Sequence, residues 1–172
     1  MLIGVLIAVV TGVFIAAMGP VNAVLTGRVG SWSAVTLVHL IGLLVATAGL
    51  LFFDSRGKAL PGGADLRYLL WPGVIVLAGV FVWVLRSGYV SGVPAFGFFG
   101  GALGVLVVIG TVGAIGRLGV LGALTVIVSS QLLAASLIDQ FGWFGQHAIP
   151  LNPLRVLGLA LMLAGVVLVL RS

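Results

Sequence analysis

Residues 118–145 read LGVLGALTVIVSSQLLAASLIDQFGWFG, and this stretch decides the fold. About twenty of its leading residues are apolar enough to cross a bilayer as a helix. They nevertheless carry Thr125, Ser129, Ser130, Gln131 and Ser136. At about 100° per residue, Thr125, Ser129 and Ser136 fall on one stripe, and Gln131 points away from it. Hydroxyls and an amide at membrane depth cost free energy unless they meet partners or water. The helix is therefore expected to face protein or a cavity on two sides, with Gln131 making an interhelical polar contact. The run ends in Asp139, Gln140, Phe141 and Gly142. A carboxylate, an aromatic cluster and a helix-stopping glycine mark the membrane–water boundary.

Composition extends this reading to the whole chain. Only 6% of the 172 residues are charged, against 62% hydrophobic, and the mean hydropathy is +1.38. A soluble domain carries about 25% charged residues, so this chain has too few to wet its own surface. The fold class is an all-α integral membrane protein. The net charge of +5 comes from arginines and one lysine scattered singly between apolar runs. That is the distribution of loop anchors and excludes a nucleic-acid-binding face. With no cysteine, neither disulfides nor thiolate metal sites arise. The first apolar run has no basic segment before it and no small-residue cleavage site after it, so it reads as a retained span.

Six spans are expected, at about residues 2–25, 32–53, 66–87, 96–116, 119–138 and 154–170, forming a single transmembrane domain over residues 1–172. In the first, Pro20 removes a backbone donor and crowds the carbonyl of Ala16, which predicts a kink. Thr11, Met18, Asn22 and Thr26 make a polar stripe leading to it. In the second, Thr36, His39, Leu43 and Thr47 share a face; histidine is the residue type that switches charge near neutrality. Residues 54–65 form a solvated loop with Asp54, Arg56 and Lys58. The third span places Tyr68, Trp71 and Trp83 as interface anchors. Glycines 97, 100, 101 and 104 in the fourth let another backbone approach. Pro153 opens the sixth, where its missing donor is harmless.

Two segments also resemble a known family. SSQLLAASLIDQFGWFG at 129–145, followed by PLNPLRVLGLALMLAGVVLVL at 150–170, resembles the C-terminal half of the YdcZ-type membrane proteins. GPVNAVLTGRVGSWSAVTLVHLIG at 19–42 resembles the first two helices of the same family. The resemblance implies a half-size member of the drug/metabolite transporter superfamily in a bacterial cytoplasmic (inner) membrane. YdcZ-type proteins usually have five spans. Because FGFFGGALGVLVVIGTVGAIGRLG at 96–119 resembles their third helix, the segment at 66–87 reads as an insertion.

The function so implied is a small-molecule exporter, acting by alternating access as a homodimer or paired with a homologous subunit. Thr11, Asn22, Thr26, Thr36, His39, Thr47, Thr125, Ser129 and Ser136 are the expected substrate path, facing a common cavity. There is no glutamate anywhere in the chain. Proton coupling would therefore rest on His39 or Asp139, and exchange without protons stands beside it. With six spans, Arg56, Lys58, Arg67, Arg117 and Arg171 lie on one side and Arg28, Arg86 and Arg155 on the other. This bias favours cytoplasmic termini yet permits dual topology and an inverted dimer. A passive channel formed by such a dimer, or a non-transporting membrane scaffold, are the alternatives. Asp139, His147 and Arg155 make too thin a set for an enzyme. No cofactor is expected, and Asp139, His147 and His39 lack metal-ligand spacing.

Overall fold

The computed structural model describes residues 1–53 and 66–171; the loop read above at residues 54–65 lies outside them. The described residues form five α-helices: α1 (Leu2–Val29), α2 (Ser31–Phe53), α3 (Leu66–Arg86), α4 (Gly100–Phe141) and α5 (Pro153–Arg171). Single 3₁₀ turns occur at Ala95–Phe98 and Trp143–Gly145. The chain is all-helical, as a backbone that must satisfy its own hydrogen bonds in hydrocarbon requires. By length and composition α1, α2, α4 and α5 can each cross a membrane, and the part of α3 whose side chains are described, Leu70–Arg86, is apolar.

Helix α1 continues through Pro20 as one element. Residue 20 has no N–H, so the carbonyl of Ala16 loses the donor that an ordinary residue there would supply. Gly30 alone separates α1 from α2. Its φ of 81° is a left-handed conformation, and its N–H closes the last turn on the Thr26 carbonyl at 2.9 Å.

The count differs from expectation at α4. The stretches at 96–116 and 119–138 are joined in one element of 42 residues. At 1.5 Å per residue that is about 63 Å, twice the hydrocarbon thickness. Only Arg117 and Leu118 lie between the two stretches, and the break falls on Gly119 alone, at φ 72° and ψ 169°. That conformation is open to glycine and almost closed to other residues. Contacts with α1 reverse there. Before the break, Gly110 lies against Thr11, Gly113 against Ile7 and Arg117 against Gly4. Leu118, next to the break, also meets Gly4, and after the break Ile127 and Ser130 lie against Gly12. The two arms of α4 therefore run back along the same stretch of α1.

The chain forms two compact units, Met1–Val21 with Leu106–Ser172, and Asn22–Val105. The core of the first is Ala8, Ala114, Ala123, Val126 and Ile127, packed round by Val5, Ile7, Ile15, Ile115, Leu118, Val166 and Leu170. Three alanines at its centre let the backbones approach, the usual device where lipid offers no hydrophobic drive between helices. A β-carbon at Gly12 would collide with the Ser130 hydroxyl and the Ile127 carbonyl. The second unit is centred on Leu25, Ala34, Leu37 and Val90. Gly101 packs directly on the Val38 carbonyl and the Gly42 amide, and Gly97 lies against Val93 and Val24. The glycine-dense start of the fourth expected span is thus packing surface within this unit.

A groove between the end of α4 and α5

The groove begins where α4 stops. Gly142 has φ 61° and leads into the 3₁₀ turn, and across it Phe141 and Trp143 stack with ring centroids 5.5 Å apart. The connection to α5 then folds back over the helix end. The Ile149 N–H donates to the Asp139 carbonyl at 2.7 Å, and the Leu151 N–H donates to Gln140 Oε1 at 2.6 Å. The first satisfies a carbonyl that the end of α4 leaves open, and the second ties a loop amide to a side chain of its last turn. Asn152 caps α5, its Oδ1 accepting the Arg155 N–H at 2.8 Å. Capping fixes Arg155 in the first turn of α5, opposite Asp139 in the last turn of α4.

The two side chains form a loose ion pair, Arg155 Nη1 to Asp139 Oδ2 at 3.8 Å, with relative exposures of 44% and 45%. So open a pair contributes at most about 1 kcal/mol to stability. Both partners keep most of their hydrogen-bonding capacity, the guanidinium with five donors and the carboxylate with several lone pairs.

From this charged end a pocket of about 390 Å³ is lined by Leu132, Ser136, Asp139, Arg155, Gly158 and Met162. A second, of about 450 Å³, adjoins it at Met162 and is lined by Thr125, Val128, Ser129, Gly165 and Val166. From Thr125 to Asp139 the groove follows about 21 Å of helix. Its α4 wall is the stripe Thr125, Ser129 and Ser136, and α5 offers glycines where side chains would otherwise fill the space.

The hydroxyls do not all reach into that space. Thr125 donates to the Leu121 carbonyl and Ser136 to the Leu133 carbonyl, each at 2.7 Å. Four more of the expected path residues behave alike. Thr11 is buried and donates to Ile7 O at 2.7 Å, Thr47 is buried and donates to Leu43 O at 2.6 Å, and exposed Thr36 donates to Trp32 O at 2.9 Å. Exposed His39 uses Nδ1 on the Val35 carbonyl at 2.8 Å. Each such bond turns a polar side chain back on its own helix and removes the need for an outside partner.

The expected residues divide between the units. Thr11, Thr125, Ser129, Gln131, Ser136 and Asp139 belong to the first, and Asn22, Thr26, Thr36, His39 and Thr47 to the second. In the first, Thr125, Ser129, Ser136 and Asp139 come together on the groove, while Thr11 packs on Gly110 instead. Ser130 bonds to Val126 and Ile127 carbonyls on the side facing Gly12. In the second unit Asn22 stands apart: its side-chain oxygen is buried, has no hydrogen-bond partner, and lies against Gly100. Arg155, Met162, Gly158 and Gly165 complete the groove without having been singled out from the sequence as its lining. The signal was present in Asn152-Pro153 as a helix start, which sets Arg155 one turn into the span.

A protein-family model matches residues 3–87 and 72–168, both stretches including residues 72–86 of α3. The family is described as "putative inner membrane exporter, YdcZ". No curated protein and no solved structure matches the chain. The family match covers nearly all of the sequence, and the helices are long and apolar as that membrane location requires. The chain is a multi-pass inner-membrane protein belonging to the YdcZ family of the drug/metabolite transporter superfamily.

Proposed function

We propose that the protein exports a small molecule by alternating access as a dimer, and that the α4–α5 groove is part of the solute path. The observation that carries this is the groove itself: a lengthwise space at membrane depth, walled by Thr125, Ser129 and Ser136 and ending in Asp139 and Arg155. Hydroxyl oxygens that already donate to carbonyls still accept, so the wall can receive donors from a solute. Membership of an exporter family supports the same reading.

In this reading the chain crosses the membrane six times, with α4 crossing twice about Gly119. Its 42 residues are too many for one crossing, and its arms return along α1. Asn22 contributes a second polar contact, because an unpaired buried amide oxygen is a standing acceptor for a solute donor. Dimerisation is supported by α2, where exposed His39 lies nine residues into an apolar helix. An exposed imidazole at that depth calls for cover by another chain. Proton coupling, if present, would run through His39 or Asp139.

Counterflow in proteoliposomes tests the proposal. Saturable exchange of a retained solute across vesicles supports it. Conductance without counterflow would identify a channel, and an absence of any solute movement would leave a scaffold.

A further inference from the structure

We propose that the α4–α5 groove binds a phospholipid whose head carries a primary ammonium and a phosphate, with one acyl chain lying along the groove. This rests on the exporter reading only in that it names the class of molecule taken by the same site.

Charge comes first. One end of the groove presents a carboxylate and a guanidinium 3.8 Å apart, each about half exposed and neither saturated. A head with an ammonium beside a phosphate meets both, the ammonium on Asp139 and the phosphate on Arg155, for which the planar guanidinium fork is well shaped. A solute of one charge sign would meet one partner and be opposed by the other.

The wall comes second. Beyond the charged end the lining is Leu132, Leu159, Met162, Val128 and Val166, with glycines at 158 and 165. Thr125 and Ser136 have already turned their hydrogens onto their own helix. Ser129 apart, such a wall accepts hydrocarbon without stranding a donor. The groove follows about 21 Å of helix, more than the roughly 15 Å depth of one leaflet's hydrocarbon.

Access comes third. No residue of α5 is buried, so the groove is reached sideways from the acyl chains of the bilayer. The stacked Phe141 and Trp143 lie just past the charged end, at the level where aromatic rings meet headgroups. A lipid entering from the side would thus place its head and its chain in the order the groove presents them.

The test uses the full chain in nanodiscs of equimolar phosphatidylethanolamine and phosphatidylcholine, with retained lipid counted by native mass spectrometry. The quaternary ammonium of phosphatidylcholine has no N–H for Asp139. The wild-type protein should retain phosphatidylethanolamine over phosphatidylcholine by about tenfold, the range of one charge-assisted hydrogen bond. Asp139→Asn should bring that ratio close to one, and Arg155→Gln should lower retention of both lipids, which share the phosphate. Gly158→Leu and Gly165→Leu leave the charges intact, and nothing lies within 4 Å of a β-carbon at either position. They should fill the groove and lower retention of both lipids. No preference in the wild-type protein overturns the proposal, as does a preference that survives Asp139→Asn, or retention of both lipids that is unchanged in Arg155→Gln or in both leucine variants. Counterflow of some other solute with no lipid preference would remove this inference and keep the exporter reading. Lipid preference with no movement of any solute would do the reverse.

Discussion

The side-chain oxygen of Asn22 sits over Gly100, in the place a β-carbon there would occupy, and it is buried with no hydrogen-bond partner. Burial of an unpaired amide oxygen costs about 1–3 kcal/mol. Glycine at position 100 is what lets the amide lie so close.

Asn22→Ala should therefore leave thermal stability in detergent unchanged or slightly raised, since it removes an orphan acceptor. Solute flux should fall severalfold if Asn22 is a solute contact. Gly100→Ala should behave oppositely in stability, losing about 1–3 kcal/mol as the new methyl displaces the amide. A large stability loss in Asn22→Ala would show that its amide has a structural partner in the membrane. Unfolding curves and flux on the same preparations decide between these.

Gly119 gives a second pair of outcomes. With φ 72° and ψ 169°, and nothing within 4 Å of a β-carbon, the demand there is conformational and not steric. Gly119→Ala should cost about 1–3 kcal/mol. Gly116→Ala, helical and equally unobstructed, should be neutral or gain up to about 1 kcal/mol. Equal thermal shifts in the two variants would mean that the break at Gly119 is not needed.

On the groove wall, Ser129 is buried, whereas the Thr125 hydroxyl is already bonded to Leu121. Ser129→Ala should reduce flux by about fivefold or more, the order of one lost neutral hydrogen bond. Thr125→Val, of nearly the same shape, should change it less. Both should fold, as neither enters a close contact in the core. Unchanged flux in Ser129→Ala and Asn22→Ala together would remove the proposed path.

Topology can be tested cleanly because the chain has no cysteine. With six crossings, single cysteines at Lys58 and Ser172 should label from the same side of the membrane. Labels on opposite sides would indicate an odd number of crossings after residue 58. Each site labelling from both sides would indicate dual topology.

The periodicity of residues 118–145 was enough to put Thr125, Ser129 and Ser136 on one face, and the structure sets that face on a groove. A hydroxyl at membrane depth does not need a partner on another helix. Serine and threonine donate to carbonyls three or four residues back, so Thr11, Thr36, Thr47, Thr125 and Ser136 are satisfied wherever their faces point. Asparagine at residue 22 shows no such bond, and its isolation becomes visible only in three dimensions. Arg155 was legible as a helix-start residue but not as the partner of Asp139, because the eleven residues between α4 and α5 decide which side chain of α5 meets α4.

By itself, the amino-acid order determined that this is a membrane-spanning helical chain, where its apolar runs lie, and which polar residues share a helical face. Those properties follow from local hydropathy and a fixed angular step per residue. Tertiary structure alone decided what each face looks at: α4 doubled back along α1 at Gly119, Gly12 seated on Ser130, and Asp139 and Arg155 closing one groove. Lipid surrounds such helices with material as apolar as their own side chains. Which faces meet is then settled by backbone approach at glycines and alanines and by a few polar contacts, and neither is readable from hydrophobicity.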